Sequence, residues 1–218
     1  MTRLALVMIA RDEARSIARG LDSARAHVDR MIVLDTGSTD ATREIAHAAG
    51  AEVHEFAWCD DFAAARNAAL SHSDADWNLI LDADEWLDRG MEGLSAEVLS
   101  PGGGGFLGAI RVRSLIDDQP GAASQAWIAR VLPRGVGYAG KIHEQPVSDL
   151  PTRRLPLEIG HDGYSAENLE RKGARNETLL MRELEATPDD PYLWFQLAKE
   201  HQARQRFPQA AFCFTEAL

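Results

Sequence analysis

The feature that most limits the fold of this chain is an alternation of short apolar segments with segments of helical spacing. Residues 4–10, 31–34 and 77–81 are largely apolar runs of strand length, and a polar loop follows each of them. Stretches with helical periodicity lie between and beside these runs, at 14–27, 41–49 and 62–70. Buried strands that alternate with helices through short links are typical of a parallel sheet with helices on both faces. The sequence therefore predicts an α/β fold whose ligands bind beyond the carboxyl ends of the strands.

The composition is that of a folded and acidic protein. Among 218 residues, 45% are hydrophobic and 26% are charged, and the formal net charge is −11. Such a protein is a poor partner for nucleic acids and anionic membranes because it cannot neutralise their phosphate groups. No run approaches the ~20 apolar residues that span a bilayer, and no signal-type segment is recognisable, so we expect no membrane span and a cytoplasmic location. Cys59 and Cys213 lack partners at metal-site spacing and are expected to be ordinary thiols.

The second half of the sequence predicts further strands and then helices. A glycine-rich break at 101–105 precedes strand-like segments at 106–112 and 127–132, and a helical pattern begins after residue 162. We expect an α/β domain over residues 1–165 and a helical extension over 166–218.

The last part of the extension, residues 191–218, fits most of a tetratricopeptide helix pair but ends before a ~34-residue repeat is complete. A lone repeat leaves one face uncovered, so we expect the chain to continue past Leu218 or the pair to pack on the first domain as a cap. An ordinary helical hairpin is the alternative interpretation.

The strongest chemical signal is an acidic segment directly after a buried strand. The apolar residues 79–81 run into Asp82, Ala83, Asp84 and Glu85. Several carboxylates at one strand end are costly to bury unless a cation compensates them, and their hard oxygen atoms suit Mg²⁺ or Mn²⁺. An Asp-x-Asp sequence alone is common in turns. Its position after a buried strand makes this segment a candidate metal site.

A second polar loop follows the strand at 31–34. Asp35 would lie at the carboxyl edge of the sheet, where a carboxylate can accept hydrogen bonds from a nucleotide base or ribose. The hydroxyl and carboxylate side chains that come next are expected to cap the following helix. These predicted capping residues are Ser38, Thr39 and Asp40.

Four motifs in this order resemble the family 2 glycosyltransferases, which have a nucleotide-binding GT-A fold. The motifs are residues 9–13, residues 35–40, the helix at 62–67 with Arg66 and Asn67, and residues 82–85. Two later segments, residues 142–144 and 161–164, resemble a bacterial subgroup in which this domain is joined to tetratricopeptide repeats. The resemblance implies a Rossmann-like, mixed and mainly parallel sheet with helices on both faces, followed by a C-terminal helical extension.

The resemblance also implies roles for particular residues. The residues that it places around the nucleotide sugar are Ala10, Arg11, Glu13, Asp35, Arg66, Asp82 and Ala83. Asp84, together with Asp82, is implied to hold a Mn²⁺ or Mg²⁺ ion at the donor diphosphate and so to take part in catalysis. His161 is a candidate further metal ligand because neutral imidazole can complete a site begun by carboxylates.

Two later features bear on the acceptor. Glu144 is the candidate general base, since an inverting transfer needs a group that takes a proton from the attacking nucleophile. Trp86 and Trp127 are candidates for a wall on which a sugar ring stacks.

The sequence therefore predicts an inverting glycosyltransferase of the hexosyltransferase type with a nucleotide diphosphate sugar, expected to be uridine-linked, as donor. The acceptor stays open among saccharides, peptides and proteins. A nucleotidyltransferase would favour a glycine-rich basic loop after the first strand, where this chain has residues 11–13, Arg-Asp-Glu. The other alternative is a catalytically silent scaffold that recruits a protein partner through its C-terminal helices.

Overall fold

The structure is a computed structural model, and it describes residues 2–92, 105–115, 123–161 and 166–218. Most of the predicted glycine-rich break and the predicted domain boundary at residue 165 lie outside the described residues. The strands are β1 Leu4–Ala10, β2 Arg30–Asp35, β3 Glu52–Glu55, β4 Trp77–Asp82, β5 Glu85–Arg89, β6 Leu107–Leu115, β7 Ala123–Pro133, β8 Gly137–Ala139, β9 Gln145–Val147 and β10 Thr152–His161. Within these residues the helices are α1 Ile17–Ala24, α2 Thr42–Ala48, α3 Phe62–Ser71, α4 Ala166–Ala186, α5 Pro191–Ala203 and α6 Phe207–Glu216.

Eight of the strands form one mixed sheet in the order β3-β2-β1-β4-β7-β6-β10-β5. The first four in this order are parallel to one another. β7 runs antiparallel to both β4 and β6, β10 is parallel to β6, and β5 is antiparallel to β10. The predicted mixed and mainly parallel sheet is confirmed. β8 and β9 pair separately as a two-stranded ribbon.

The central strand β1 is apolar on both faces because helices cover the sheet from both sides. Leu6 and Met8 belong to a core cluster that includes Ile17 and Leu21 of α1, whereas Ala5 and Val7 belong to the cluster that contains residues of α3. Residues at this spacing in α1 share one face of the helix, and burial of each large side chain contributes roughly 1.5–3 kcal/mol. The continuous apolar run of residues 4–10 is therefore explained by two-sided burial.

The sequence pattern did not reveal two strands, β5 and β10. They form the far edge of the sheet and lie next to the acidic segment, residues 82–85. In their register His161 at the end of β10 pairs with Glu85 of β5 on one side and with Ser114 of β6 on the other. The start of β10 is exposed and rich in charge, so it lacks the alternation that marks a strand in sequence. The fold thus brings residue 161 beside residues 82–85.

The C-terminal helices pack on the α/β part of the chain. Leu180 of α4 and Leu197 of α5 share a buried cluster with Ile142, and half-buried Trp58 and Phe62 pack against it. The division into two domains and the tetratricopeptide character of α5 and α6 stay predictions. No helix among the described residues is both long and apolar enough to cross a membrane.

Candidate active site

A cleft of about 730 Å³ opens at the carboxyl ends of β1 and β4. Its floor comes from the loops after these strands, one side comes from β7, and the opposite side comes from the ribbon of β8 and β9 with the C-terminal helices. The residues predicted from sequence that line it are Ala10, Arg11, Glu13, Arg66, Asp82, Ala83, Asp84, Glu144 and His161. Asp35 is not among the lining residues, but it directly precedes the lining residue Thr36 in the chain. Tertiary folding therefore gathers residues from distant parts of the chain around one cavity.

The loops that follow β1 and β2 are fastened to each other by side chains. Thr36 donates from its backbone N–H and its hydroxyl to the carbonyl of Ala10, at 2.9 and 3.1 Å. Asp12 donates its N–H to the hydroxyl of Ser38 at 3.0 Å, and its carboxylate accepts from Thr39. The Asp40 carboxylate accepts from Ala14 across the gap. These bonds fix the floor of the cleft at one geometry.

The capping role predicted for the residues of this second loop is mostly wrong. The residue at the N-terminus of α2 is Ala41, which offers no side-chain cap. Ser38 and Thr39 are instead used across the gap between the two loops, and only Asp40 also accepts from a first-turn N–H, that of Thr42 at 3.0 Å. The hydroxyl groups of Ser38 and Thr39 form hydrogen bonds with Asp12 in the loop after β1, which is close in space but remote in sequence.

Asp35 is buried with half of its hydrogen-bonding capacity unused. It is 2% exposed, and its Oδ2 accepts from the backbone N–H groups of Gly37 and Ser38 at 3.1 and 3.0 Å. The turn depends on Gly37, whose φ of 102° lies in the left-handed region. Oδ1 is buried and has no hydrogen-bond partner among the described residues. A buried acceptor in this state costs free energy, so a ligand N–H or O–H at this position would be stabilised.

Glu13 and Arg11 occupy the loop after β1 in different ways. Glu13 is buried, its carboxylate accepts from the Ser16 hydroxyl at 2.9 Å, and its carbonyl accepts from the N–H groups of Ser16 and Ile17, where α1 begins. Arg11 is exposed at the rim, with its Nε 4.0 Å from the Asp12 carboxylate. Glu13 therefore shapes the floor, while Arg11 is available at the mouth of the cleft.

A chain of alternating charges crosses the centre of the cleft. Arg66, buried on α3, donates from Nε to Glu144 and from Nη2 to Asp82 at 2.6 Å. Arg130 of β7 donates from Nη2 to the other oxygen of Asp82 at 2.7 Å and to Glu85 at 2.9 Å. Buried ions of this kind are tolerable only when they are paired, and here each guanidinium bridges two carboxylates. The network ties the acidic segment to the candidate base Glu144.

Sequence analysis missed Arg130. The available signal was a charged residue inside the otherwise apolar segment 127–132, which is unusual for a buried strand.

The network separates the pKa values of neighbouring carboxyl groups. Burial alone would raise the pKa of Asp82, but the guanidinium groups of Arg130 and Arg66 outweigh it and hold that pKa well below its usual range. Burial raises the pKa of Glu85 to about 7 despite the attraction of Arg130. Asp82 is therefore ionised at neutral pH, so the two arginines face a lasting negative charge.

Asp84 and His161 form the pair best suited to a cation. Asp84 is 4% exposed, and its Oδ2 lies 3.5 Å from Nε2 of His161. Nδ1 of His161 lies 3.0 Å from the Ser114 hydroxyl, which fixes the ring with Nε2 towards Asp84. Burial lowers the pKa of His161, but Asp84 with its neighbouring carboxylates outweighs burial and raises it above the ordinary value. The pair presents one oxygen and one nitrogen donor to the cleft.

These donors fit a metal that is completed by its substrate rather than by protein alone. No group of three or more His, Cys, Asp or Glu side chains within the described residues is arranged to hold an ion. Mg²⁺ in particular is often held by one or two protein carboxylates together with phosphate oxygens and water. Both oxygens of Asp82 already accept from guanidinium groups, so this arrangement favours Asp84 and His161 over Asp82 as ligands.

The two tryptophans that were predicted to stack on a sugar have different positions. Trp86 is buried, with the Arg19 guanidinium carbon 3.2 Å from its ring centre, and a side chain at Gly160 would collide with it. Trp86 therefore cannot form a sugar-stacking wall, because the sheet and Arg19 cover it. Trp127 is 38% exposed and lines the cleft, which leaves it as the candidate.

A family profile described as "Glycosyl transferase family 2" matches residues 5–147. The chain belongs to glycosyl transferase family 2. The predicted family and its GT-A fold are thereby confirmed, and the match includes every predicted site residue except His161, which lies beyond residue 147.

Two curated relatives and one solved structure illustrate the similarity. A TPR repeat-containing protein of Synechococcus elongatus is 52% identical over 87 residues, which cover 40% of this chain and 22% of the relative. The prophage-derived glycosyltransferase SunS of Bacillus subtilis is 27% identical over 202 residues, or 88% of this chain and 48% of the relative. Glucosyl-3-phosphoglycerate synthase of Mycobacterium tuberculosis, solved with Mn²⁺, UDP and phosphoglyceric acid, is 26% identical with a TM-score of 0.42 and covers 53% of this chain and 43% of that one. The chain thus spans about half or less of the length of these relatives.

Proposed function

We propose that this protein is an inverting glycosyltransferase that moves a sugar from a uridine diphosphate sugar to an acceptor nucleophile. The observation that carries this proposal is the arrangement of three groups at one cleft. An aspartate–histidine pair and a glutamate held by an arginine line it, and Asp35, a buried carboxylate with an unused oxygen, directly precedes its lining residue Thr36. These groups match the three parts of the reaction, which are the nucleoside, the diphosphate and the acceptor. Family membership supports the same class of reaction.

Asp35 supports a base that carries an imino N–H. Its buried Oδ1 can only accept a hydrogen bond while the carboxylate is ionised. N3 of uracil carries a hydrogen and donates, whereas N3 of cytosine lacks one and would oppose the carboxylate with a lone pair. Uridine therefore satisfies the unused oxygen through its N3–H, whereas cytidine offers no ring N–H at that position.

Asp84 and His161 would hold the divalent ion, with Mn²⁺ or Mg²⁺ as the candidates. When bound, the ion supplies positive charge that stabilises the departing nucleoside diphosphate. The protein's own contribution is to orient the two donors, which the Ser114 hydroxyl does for the imidazole and burial does for Asp84.

Glu144 would act as the general base. Its Oε1 accepts from Arg66, so the proton would be taken through Oε2. The acceptor nucleophile gives its proton to Glu144 and forms a bond to the anomeric carbon, while the bond from that carbon to the phosphate oxygen breaks and its electron pair leaves with the diphosphate. Attack from the face opposite the leaving group inverts the anomeric configuration.

The test is a thermal-shift screen with the diphosphates of uridine, guanosine, cytidine and thymidine and their sugars, each with Mn²⁺, Mg²⁺ or EDTA. Ligand at about 100 times its Kd stabilises the native state by about 2.7 kcal/mol, or roughly 5–10 °C for a chain of this size. We expect this shift for the uridine ligands only when a metal is present.

The Asp84→Asn variant should lose the metal-dependent part of the shift, because it removes one of the two proposed ligands. The Asp149→Asn variant changes an exposed aspartate outside the cleft and should respond like the wild type. A wild-type protein that responds to none of these ligands would refute the proposed function, and an unaltered Asp84→Asn variant would refute the metal assignment.

A further inference from the structure

The side of the cleft formed by the helical extension presents polar groups that the donor site does not use. Tyr192, Gln196, Lys199 and Glu200 of α5 line the cavity, and their spacing places them on one face of the helix. Asn176 of α4 lines it beside them and donates to the Glu200 carboxylate at 3.1 Å. The face of the extension that meets the cleft is therefore polar, although its contact with the α/β part is apolar.

Two buried polar atoms on this side lack hydrogen-bond partners within the described residues. Gln196 is 7% exposed, and its amide oxygen Oε1 is unpartnered. Nε2 of His143 is also buried and unpartnered, and the nearest carboxylate oxygen, on Glu200, is 3.9 Å away. Each unsatisfied buried group costs roughly 1–3 kcal/mol. Because both residues line the cleft, a bound molecule can satisfy them.

The backbone at His143 connects these groups to the candidate base. His143 has a φ of 52°, a left-handed conformation that is uncommon for a residue with a side chain. Its carbonyl accepts from the Tyr192 hydroxyl and from the Gln145 side chain, each at 3.1 Å. Helix α5 thus contacts the backbone of His143, the residue directly before Glu144. The unpartnered groups therefore lie next to the base that would activate an acceptor.

The chemistry of these groups selects for a neutral molecule with several hydroxyl groups. Gln196 offers an acceptor oxygen, and the adjacent Glu200 carboxylate is largely buried, so an anion at this position would be repelled. The positively charged Lys199 and Arg175, which also line the cleft, are both exposed to solvent. Half-buried Trp58 adds aromatic surface, against which the C–H face of a sugar ring can pack, whereas the Arg175 guanidinium carbon lies 4.9 Å from the ring centre of Phe62.

We propose that Gln196, His143 and Glu200 form an acceptor subsite for a neutral saccharide, with the helical extension as its specificity-determining wall. This inference rests on the proposed glycosyl transfer. A saccharide hydroxyl donates to Gln196 Oε1, and a second hydroxyl bonds to His143 Nε2. The hydroxyl that attacks the donor then lies at Glu144.

The test compares Gln196→Leu and Gln196→Met with wild type, and uses Gln202→Leu, an exposed position on the same helix, as the matched control. Release of UDP from UDP-glucose and UDP-galactose is measured as a function of added methyl glucoside, methyl galactoside, methyl mannoside and cellobiose. 3-Phosphoglycerate and a serine-containing peptide serve as anionic and peptide probes. Isothermal titration of UDP with Mn²⁺ measures the donor site separately.

We expect at least one neutral glycoside to stimulate release, and its KM to rise about tenfold in both Gln196 variants with a smaller effect on kcat, since one hydrogen bond is lost. The Gln202→Leu variant should match the wild type. Thermal unfolding of the Gln196 variants without acceptor should occur at the wild-type temperature or above it, because the side chain is unsatisfied there.

The proposal is overturned if no neutral glycoside stimulates release while UDP still binds, if only 3-phosphoglycerate or the peptide does, or if KM is the same in all variants. A drop in unfolding temperature without a change in KM would assign Gln196 a purely structural role and overturn it as well. Failure of the wild type to bind UDP with metal would instead refute the proposed function.

Discussion

Replacing Asp35 by Asn tests how the site distinguishes one base from another. In the native turn Oδ2 accepts from two backbone N–H groups, and Oδ1 is buried without a partner. An asparagine of the same shape can keep the first contacts through its amide oxygen. Its NH₂ group then occupies the place of the unpaired oxygen. The change therefore converts an acceptor into a donor at the point where we propose that the base binds.

The magnitude follows from this single contact. A hydrogen bond to a charged group contributes about 1.5–3 kcal/mol, so UDP affinity should fall by roughly 10- to 150-fold. CDP affinity should fall less or rise, because the new NH₂ group can donate to N3 of cytosine. Folding stability should change by only about 1 kcal/mol, since the backbone contacts of the turn persist.

The assay is isothermal titration of UDP and of CDP into the wild type and Asp35→Asn, with Mn²⁺ present throughout and Asp149→Asn as the control. The informative quantity is the ratio of the two dissociation constants in each variant. Equal losses for UDP and CDP would mean that Asp35 contacts the ribose or only the turn, and the reasoning about the base would be refuted. A loss of UDP affinity below about threefold would refute the contact altogether.

Two further variants test the catalytic and structural assignments. Glu144→Gln keeps an oxygen that accepts from Arg66 but cannot take a proton, so transfer should fall by about 10²- to 10⁴-fold while UDP still binds. UDP release during transfer measures this with exposed Glu216→Gln as the control, and near-normal transfer would reject Glu144 as the base. Gly160→Ala would place a methyl carbon 2.2 Å from Cζ2 of Trp86, and the expected loss of about 1–3 kcal/mol or more lowers Tm by roughly 2–4 °C per kcal/mol. An unchanged Tm in a calorimetric scan would contradict that packing.

The sequence by itself determined the first half of the fold and the polar groups at its strand ends. Residues 4–10 and 77–81 are apolar on both faces because both faces are covered, and this pattern is local enough to read directly. Asp35 is the last residue of β2, and Asp84 lies two residues after the end of β4. Their shared position at one edge then follows from the parallel order of β1, β2 and β4.

Only the tertiary structure decided which charges meet and what encloses the cleft. The pairing of Arg130 with Asp82 depends on β7 running antiparallel beside β4, and the approach of His161 to Asp84 depends on β10 pairing with β5. Contacts between residues so far apart in the chain leave no periodic trace in either segment.

The wall formed by α5 was likewise decided only by the tertiary structure. Its helical pattern was predictable from the sequence. The role of Gln196 was not, because the sequence does not distinguish a buried polar side chain that has a hydrogen-bond partner from one that lacks it. Local patterning specifies secondary structure through burial and backbone sterics. The site arises from long-range packing, which places donors and acceptors together only after the chain has folded.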